Sequence, residues 1–255
     1  MHYIKIILTT LVLTLIFPCL STAAGYKEWQ VKPDCIFAMP YLGHILSKTE
    51  KGILMDVLRE VYEPEKINIK HEAVPFVRAL EGTIAGKYHL TLGISPRKKL
   101  ITAKIPIGLY DLSACYLKDK AEWKGVESLT GQEVVYLYGF DLQSYLPVKV
   151  RKQIVYDLSS AFDMLDRGHV KYILDDNWLL KDAMIESQYP PYLFDIKEIK
   201  RFKVWPLFAD TPDGRKFQAM YDRRMKELLE SGKLAKIYKR HGLSDKYIAR
   251  LFDLK

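Results

Sequence analysis

Residues 52–94 have the sequence GILMDVLREVYEPEKINIKHEAVPFVRALEGTIAGKYHLTLGI, and their pattern indicates the fold class. Apolar residues recur at helical spacing on one face over 53–62, and a proline then stops that helix. Alternating apolar residues predict a strand over 67–74. A proline and a glycine bound the helix predicted over 76–85, and a third strand follows at 88–94. Helices that alternate with strands in this way predict parallel strands with helices on the sheet faces, an α/β fold.

The rest of the chain continues in the same style, without a low-complexity linker or an internal repeat. Short apolar runs predict further strands, and apolar stripes at helical spacing predict further helices. The predicted strands are 34–38, 133–138, 170–174 and 204–209, and the predicted helices are 159–166, 215–230 and 234–241, with a turn at 211–214. Two compact α/β units without a flexible linker fit two lobes that are joined by crossing strands.

The first 24 residues have the order of a secretory signal peptide: a lysine, an apolar run over 6–17, and small residues over 21–24. The apolar run is too short to span a bilayer comfortably, so we expect cleavage after Ala24 and export to the periplasm. Two alternatives stay open. One is an uncleaved membrane anchor, and the other is a lipoprotein linked through Cys19, which the preceding Pro18 suits poorly.

Composition and motifs count against several classes of function. The 255 residues have a formal net charge of +8, but the cations alternate with acids and no nucleic-acid-binding motif occurs, so we expect no nucleic-acid partner. Cys35 and Cys115 lie in strand-like apolar settings, where a disulfide and two buried thiols are both open. Zinc-ligand spacing, a nucleophile elbow and a phosphate loop are missing from the sequence, so we expect no metal, no cofactor and no enzyme activity.

Several short segments, in their order and spacing, resemble family 3 of the bacterial extracellular solute-binding proteins. They are 52–58 (GILMDVL), 74–80 (VPFVRAL), 86–88 (GKY), 95–97 (SPR), 129–134 (LTGQEV), 164–170 (MLDRGHV), 175–176 (DD) and 228–238 (LLESGKLAKIY). No single segment is specific, but together they cover nearly the whole chain after position 24.

The resemblance implies a two-lobed type II periplasmic-binding-protein fold, in which each lobe is a mainly parallel sheet flanked by helices and two strands form the hinge. Lobe 1 would comprise 25–112 and 210–255, and lobe 2 would be the inserted segment 113–209. The implied function is a monomer that captures a small polar solute, such as an amino acid or a similar carboxylate, for an inner-membrane ABC permease. The alternatives are a sensory module that signals to a membrane kinase, chemoreceptor or cyclase, and a dehydratase-like enzyme on the same fold.

Two charged positions are the main candidates for ligand contact. Arg97 ends the segment that resembles the family's carboxylate-binding loop, and a guanidinium presents a planar fork of donors that matches a carboxylate. The alternative is a solvated arginine, because Lys98 and Lys99 follow it. Asp176 stands where the family holds a ligand ammonium, but it could equally cap the helix that follows, and Asp175 is its rival.

Five further residues complete the predicted site, and each has ordinary packing, turn formation or surface exposure as its alternative. The predicted contributions are an aromatic platform from Tyr41, a hydroxyl from Ser95, a second anion clamp from Arg78, a backbone amide from Phe140 and a cleft-lining ring from Trp178. The family usually has Gly-Thr where this chain has Gly139-Phe140, and an aspartate where this chain has His89. These departures leave the identity of the ligand open.

Overall fold

The computed structural model describes residues 33–254, so the predicted signal peptide lies outside the described residues. The strands are β1 (Asp34–Ala38), β2 (Asn68–Glu72), β3 (Leu90–Gly93), β4 (Leu100–Thr102), β5 (Gly108–Leu117), β6 (Glu133–Leu137), β7 (Arg151–Val155), β8 (Tyr172–Asp176) and β9 (Phe194–Ala209). The helices are α1 (Ile53–Tyr62), α2 (Phe76–Ile84), α3 (Leu158–Asp166), α4 (Asn177–Glu186), α5 (Pro212–Glu230), α6 (Lys233–Arg240) and α7 (Asp245–Phe252). Within this part of the chain, no helix has both the length and the apolar character that a membrane crossing requires.

The strands of the described chain join in one mixed sheet in the order β2-β1-β3-β9-β5-β8-β6-β7, and β4 also pairs with β9. The three strands at each end, β2-β1-β3 and β8-β6-β7, are parallel. The pairs in the middle of the sheet are antiparallel. Parallel neighbours need a crossover connection: α1 and α2 supply those among β1, β2 and β3, α3 leads from β7 to β8, and the segment from β6 to β7 contains only a short 3-10 helix, Leu142–Tyr145. The predicted α/β class is confirmed, with the parallel strands at the two ends of the sheet.

Two long strands connect the two ends of the sheet. β9 has 16 residues; its first part pairs with β5 up to Val204, and its last part pairs with β3 and β4. The register between β5 and β9 shifts between Leu112 and Ser113. Such a bulge bends a strand and increases its twist. The connection between the two ends is therefore a continuous but bent strand pair.

Apolar side chains form separate cores at the two ends of the sheet. The first core takes its buried residues from 35–107 and 208–251, where α1, α5, α6 and α7 pack on the sheet. The second core takes its buried residues from 110–194 and has one part on each sheet face. Along β5, for example, Ala114 and Tyr116 face one side while Cys115 and Leu117 face the other, because successive strand residues point in opposite directions.

Most predicted elements are confirmed, and β1 and α1 have their predicted bounds. The predicted turn at 211–214 is wrong, because these residues begin α5: the Thr211 hydroxyl accepts the N–H of Gly214 at 3.1 Å, and Pro212 fits the first turn. β9 begins at Phe194 rather than at the predicted 204. Charged residues over 197–203 interrupt the apolar pattern there and conceal the strand from sequence analysis.

Cys35 and Cys115 are buried free thiols that lie in different cores, so the structure contains these two thiols and not a disulfide between them. Burial raises the pKa of Cys35 and raises that of Cys115 to about 12. Both thiols therefore stay protonated near neutral pH. Over residues 33–254, no group of three or more histidine, cysteine or acidic side chains is arranged to hold a metal ion.

Candidate ligand-binding site

A cavity of about 140 Å³ lies beside the middle strands, at the carboxyl ends of the parallel strands. Its wall uses the segments that follow β1, β3, β6 and β8, the position where open α/β sheets bind ligands. Apolar side chains make most of the wall, among them Leu42, Ile53, Leu92, Ile94, Phe140 and Leu243. An engineered apolar cavity of roughly 150 Å³ admits benzene, so this cavity suits a small organic molecule.

Three parallel aromatic rings connect the two cores along one side of the cavity. The ring centroid of Phe140 lies 4.8 Å from that of Phe76 with an interplanar angle of 14°, and 6.4 Å from that of Tyr110 with an angle of 15°. Phe76 belongs to the first core and Tyr110 to the second. The bulk that Phe140 adds is therefore taken up in a stack that spans both ends of the sheet.

Two polar contacts also bridge the two ends of the sheet beside the cavity. The Nδ1 atom of His44 lies 2.7 Å from a carboxylate oxygen of Asp182 on α4. The hydroxyl oxygens of Ser95 and Tyr145 lie 3.0 Å apart. His44 and Tyr145 also line the cavity. Together with the aromatic stack, these contacts hold the two ends of the sheet against each other beside the cavity.

Gly139 allows the backbone before Phe140 to approach α2 closely. Its φ of +93° is unfavourable for residues with a side chain. A Cβ atom built at this position would lie 2.6 Å from Cγ2 of Val77, which is too close for two carbon atoms. A side chain at Gly139 would therefore need a strained backbone conformation and a shift of the Val77 side chain.

Two buried carboxyl groups end β8 next to the cavity. Asp176 accepts the backbone N–H of Trp178 at 2.9 Å and that of Asp111 at 2.8 Å, so the helix-cap interpretation of Asp176 is confirmed. Asp175 accepts the hydroxyl of Tyr110 at 3.0 Å through Oδ1, while its Oδ2 has no hydrogen-bond partner among the described residues. Burial raises the pKa of Asp175 to about 7 and that of Asp176 to about 6.

The charged side chains on the cavity wall differ in what they already contact. Asp176, His44 and His241 each have a hydrogen-bond partner in the protein. Arg97 and Asp141 line the cavity, are exposed, and make no side-chain hydrogen bond or ion pair within residues 33–254. A guanidinium and a carboxylate on this wall are therefore free to contact a charged ligand.

The structure brings four of the seven predicted site residues to the cavity and leaves three outside its wall. Arg97, Phe140, Asp176 and Trp178 line it. Tyr41 is 44% exposed and packs edge-on against His71, with ring centroids 5.5 Å apart. Ser95 contacts the wall residue Tyr145 instead of the cavity. Arg78 is on the exposed side of α2.

Several wall residues are not among the seven predicted from the sequence. Asp141 directly follows Gly139-Phe140, where the sequence departs from the family, so its position could have suggested it as a wall residue. The wall also includes Tyr238 and Tyr247 from the C-terminal helices, and no local pattern indicates that these helices reach the cavity. His89, where the family usually has aspartate, is not on the wall; its Nδ1 accepts the backbone N–H of Ile36 at 2.8 Å.

No family model and no curated protein sequence matches this chain. Solved structures do match it as folds. One comes from the glutathione import system of Streptococcus mutans, which uses GshT and the cystine ABC importer TcyBC; it has a TM-score of 0.68 and 17% identity, over 82% of this chain and 95% of that one. A second is AbpA of Streptococcus pneumoniae, an amino acid ABC transporter substrate-binding protein bound to L-arginine. It has a TM-score of 0.65 and 12% identity, over 82% of this chain and 94% of that one.

A third structure is the GluR0 ligand binding core in complex with L-glutamate, with a TM-score of 0.65 and 17% identity, over 82% of this chain and 96% of that one. At these identities the likeness concerns the fold. The neighbours are binding proteins, and the predicted resemblance is confirmed at the level of architecture. This chain therefore has the two-lobed type II periplasmic-binding-protein fold.

Proposed function

We propose that this protein captures a small solute in the cavity and acts as a periplasmic solute-binding protein for an inner-membrane ABC permease. The observation that carries the proposal is the cavity itself, which two ends of one sheet enclose while two continuous strands connect them. An unpaired guanidinium, that of Arg97, lies on its wall. The proposed roles are carboxylate binding for Arg97 and contact with the bound solute for Asp176, Phe140 and Trp178.

The proposed lobes are 25–112 with 210–255 for lobe 1 and 113–209 for lobe 2. The two cores support this division to within a few residues: most buried residues of each core fall in one lobe, but Tyr110 and Leu112 of the second core lie before 113 and Phe208 of the first core lies before 210. We expect β5 and β9 to flex near the bulge when the lobes open. Exit of the ligand then requires breaking the His44–Asp182 contact and the aromatic stack.

The mechanism is binding without turnover. A solute shifts the protein toward the closed form only if it binds that form more tightly than the open form, and the closed cavity provides such additional contacts. A permease could then distinguish loaded from empty protein by its closed shape. A sensory module would need the same cavity and the same closure, and the GluR0 ligand binding core shares the fold. The two functions differ in the membrane partner.

The first test is a binding screen on the purified protein after unfolding and refolding, which removes carried-over solute. A solute that binds only the native state raises the melting temperature with the logarithm of its excess over Kd. We expect at least one small carboxylate to raise it and to remain bound without conversion. Steady release of a product would contradict the proposed binding function, and a screen without any shift would contradict capture of a small carboxylate.

The second test removes the guanidinium. We expect Arg97→Ala to weaken binding of a carboxylate ligand by about 1–3 kcal/mol, because the ligand would lose its charge-assisted hydrogen bonds to the guanidinium. Isothermal titration calorimetry measures the change. Arg167→Ala is the matched control, because Arg167 is exposed and lies outside the cavity wall. Equal affinity of wild type and Arg97→Ala would remove Arg97 from the proposed site.

A further inference from the structure

We propose that the ligand is a small carboxylate with an apolar body, and this inference rests on the proposed binding function. The solute predicted from sequence is a polar one, and the neighbours described above concern glutathione, cystine, arginine and glutamate. The cavity wall of this chain has a different chemistry. Its aliphatic and aromatic side chains come from α1, from β3, and from the loops after β1 and β6.

Apart from Arg97 and Asp141, most hydroxyl, imidazole and carboxylate groups on the wall already make a hydrogen bond within the protein. The hydroxyl of Tyr238 donates to the carbonyl of Ile107 at 2.6 Å, and the hydroxyl of Tyr247 accepts the N–H of Leu109 at 2.9 Å. The Nε2 atom of His241 lies 2.8 Å from Asp56. The remaining bonded wall groups are Tyr110, Tyr145, His44 and Asp176.

Away from Arg97 and Asp141, a polar ligand side chain would therefore meet a wall that is mostly apolar and offers few free hydrogen-bonding groups. Burial of an amide or a hydroxyl without a hydrogen bond is unfavourable, whereas burial of an apolar group of the same shape is favourable. The cost of burying an unbonded polar group in a protein corresponds to a change in affinity of roughly 10- to 100-fold. Of two ligands with the same shape, we therefore expect the polar one to bind more weakly by this factor. The wall thus selects an aliphatic or aromatic body of limited size.

The unpartnered charges on the wall define the other end of the ligand. Arg97 provides donors for a carboxylate. Asp141 is a free acceptor, so it can contact an ammonium group if the ligand has one. The shared chemistry is a carboxylate on an apolar body, which occurs both in apolar amino acids and in simple alkanoic or aryl-alkanoic acids.

Calorimetric titration of the refolded full chain with a matched ligand series tests the inference. Leucine and asparagine have nearly the same shape and the same zwitterionic group, so the pair isolates the polarity of the side chain. We expect leucine or phenylalanine to bind at least tenfold more tightly than asparagine, glutamate and arginine. Equal or tighter binding of the polar ligands would overturn the apolar class and leave the proposed function intact. Absence of binding by every ligand of both classes would count against the proposed function itself.

Two further titrations test whether the ligand needs an amine and whether the apolar wall sets the affinity. 4-Methylpentanoate is leucine without its amine, and retained binding would assign the ligand to the simple acids. Ile94→Asn places an amide on the wall, and we expect it to lower leucine affinity by about tenfold or more. Ile154→Asn on β7 is the matched control, because Ile154 is 41% exposed and lies away from the cavity. Unchanged leucine affinity in Ile94→Asn, with an unchanged melting temperature, would contradict the inference, and Ile94→Ala replaces that variant if it does not fold.

Discussion

Asp175→Asn should change how the stability of the protein depends on pH. Burial raises the pKa of Asp175 from 3.8 to about 7 in the folded protein, whereas the unfolded chain keeps the ordinary value. Between these values the unfolded state releases its proton and the folded state retains it, so the free energy of unfolding falls as pH rises. A displacement of about three pH units corresponds to roughly 4 kcal/mol at about 1.36 kcal/mol per unit. The wild type should therefore lose roughly 4 kcal/mol more than the variant between pH 4 and pH 8.

Urea unfolding at a series of pH values measures this difference. The variant keeps Oδ1 as the acceptor for Tyr110, but it places an amide donor where Oδ2 has no partner, so we expect a constant offset of about 1–3 kcal/mol at every pH. The prediction concerns the slope of the free energy of unfolding against pH, and not the constant offset between the two proteins. Asp119→Asn, at an exposed position, is the control and should follow the wild-type slope. Parallel pH profiles for wild type and Asp175→Asn would show that Asp175 does not retain its proton in the folded protein.

Three other predictions concern the close contacts and the thiols. Gly139→Ala should lower the free energy of unfolding by about 1–3 kcal/mol and by more than Gly131→Ala, because both glycines have positive φ but only Gly139 meets a neighbour; equal losses in chemical denaturation would contradict this. Phe140→Ala removes the middle ring of the stack, so small-angle scattering should show a larger radius of gyration than wild type, and an unchanged radius would argue against the stack as a closing contact. Cys35 and Cys115 should resist a thiol reagent in the native protein and react on unfolding; fast native labelling would show that they are accessible.

The candidate site was predictable where it depends on strand ends. Arg97 follows β3 and Asp176 ends β8, and residues at the carboxyl ends of parallel strands meet at one edge of the sheet. Tyr41 has a similar position after β1, but its ring turns toward His71 rather than toward the cavity. Sequence position therefore places a residue near the site, whereas the packing of its neighbours decides the direction of its side chain.

Local sequence patterns could not predict the strand pair that connects the two ends of the sheet, or the contacts across the cavity. The sequence indicated only the last part of β9, because charged residues interrupt the apolar pattern of its first part. That first part is stabilised by pairing with β5. Likewise, the contact between His44 and Asp182 joins residues 138 positions apart. Contacts of this kind arise only when the whole chain has folded, so no window of sequence contains them.

By itself, the sequence determined the α/β class, the bounds of β1 and α1, and the candidate charge at Arg97, because periodicity, capping and turn chemistry act over a few neighbouring residues. The tertiary structure made the wall of the cavity mostly apolar and engaged most of its hydroxyl and imidazole groups in hydrogen bonds within the protein. It also decided that Asp176 caps a helix while Arg97 and Asp141 stay unpaired. The physical reason is that burial and hydrogen-bond satisfaction are properties of the assembled environment, and they set both the pKa values of buried carboxyl groups and the chemistry that a cavity can accept.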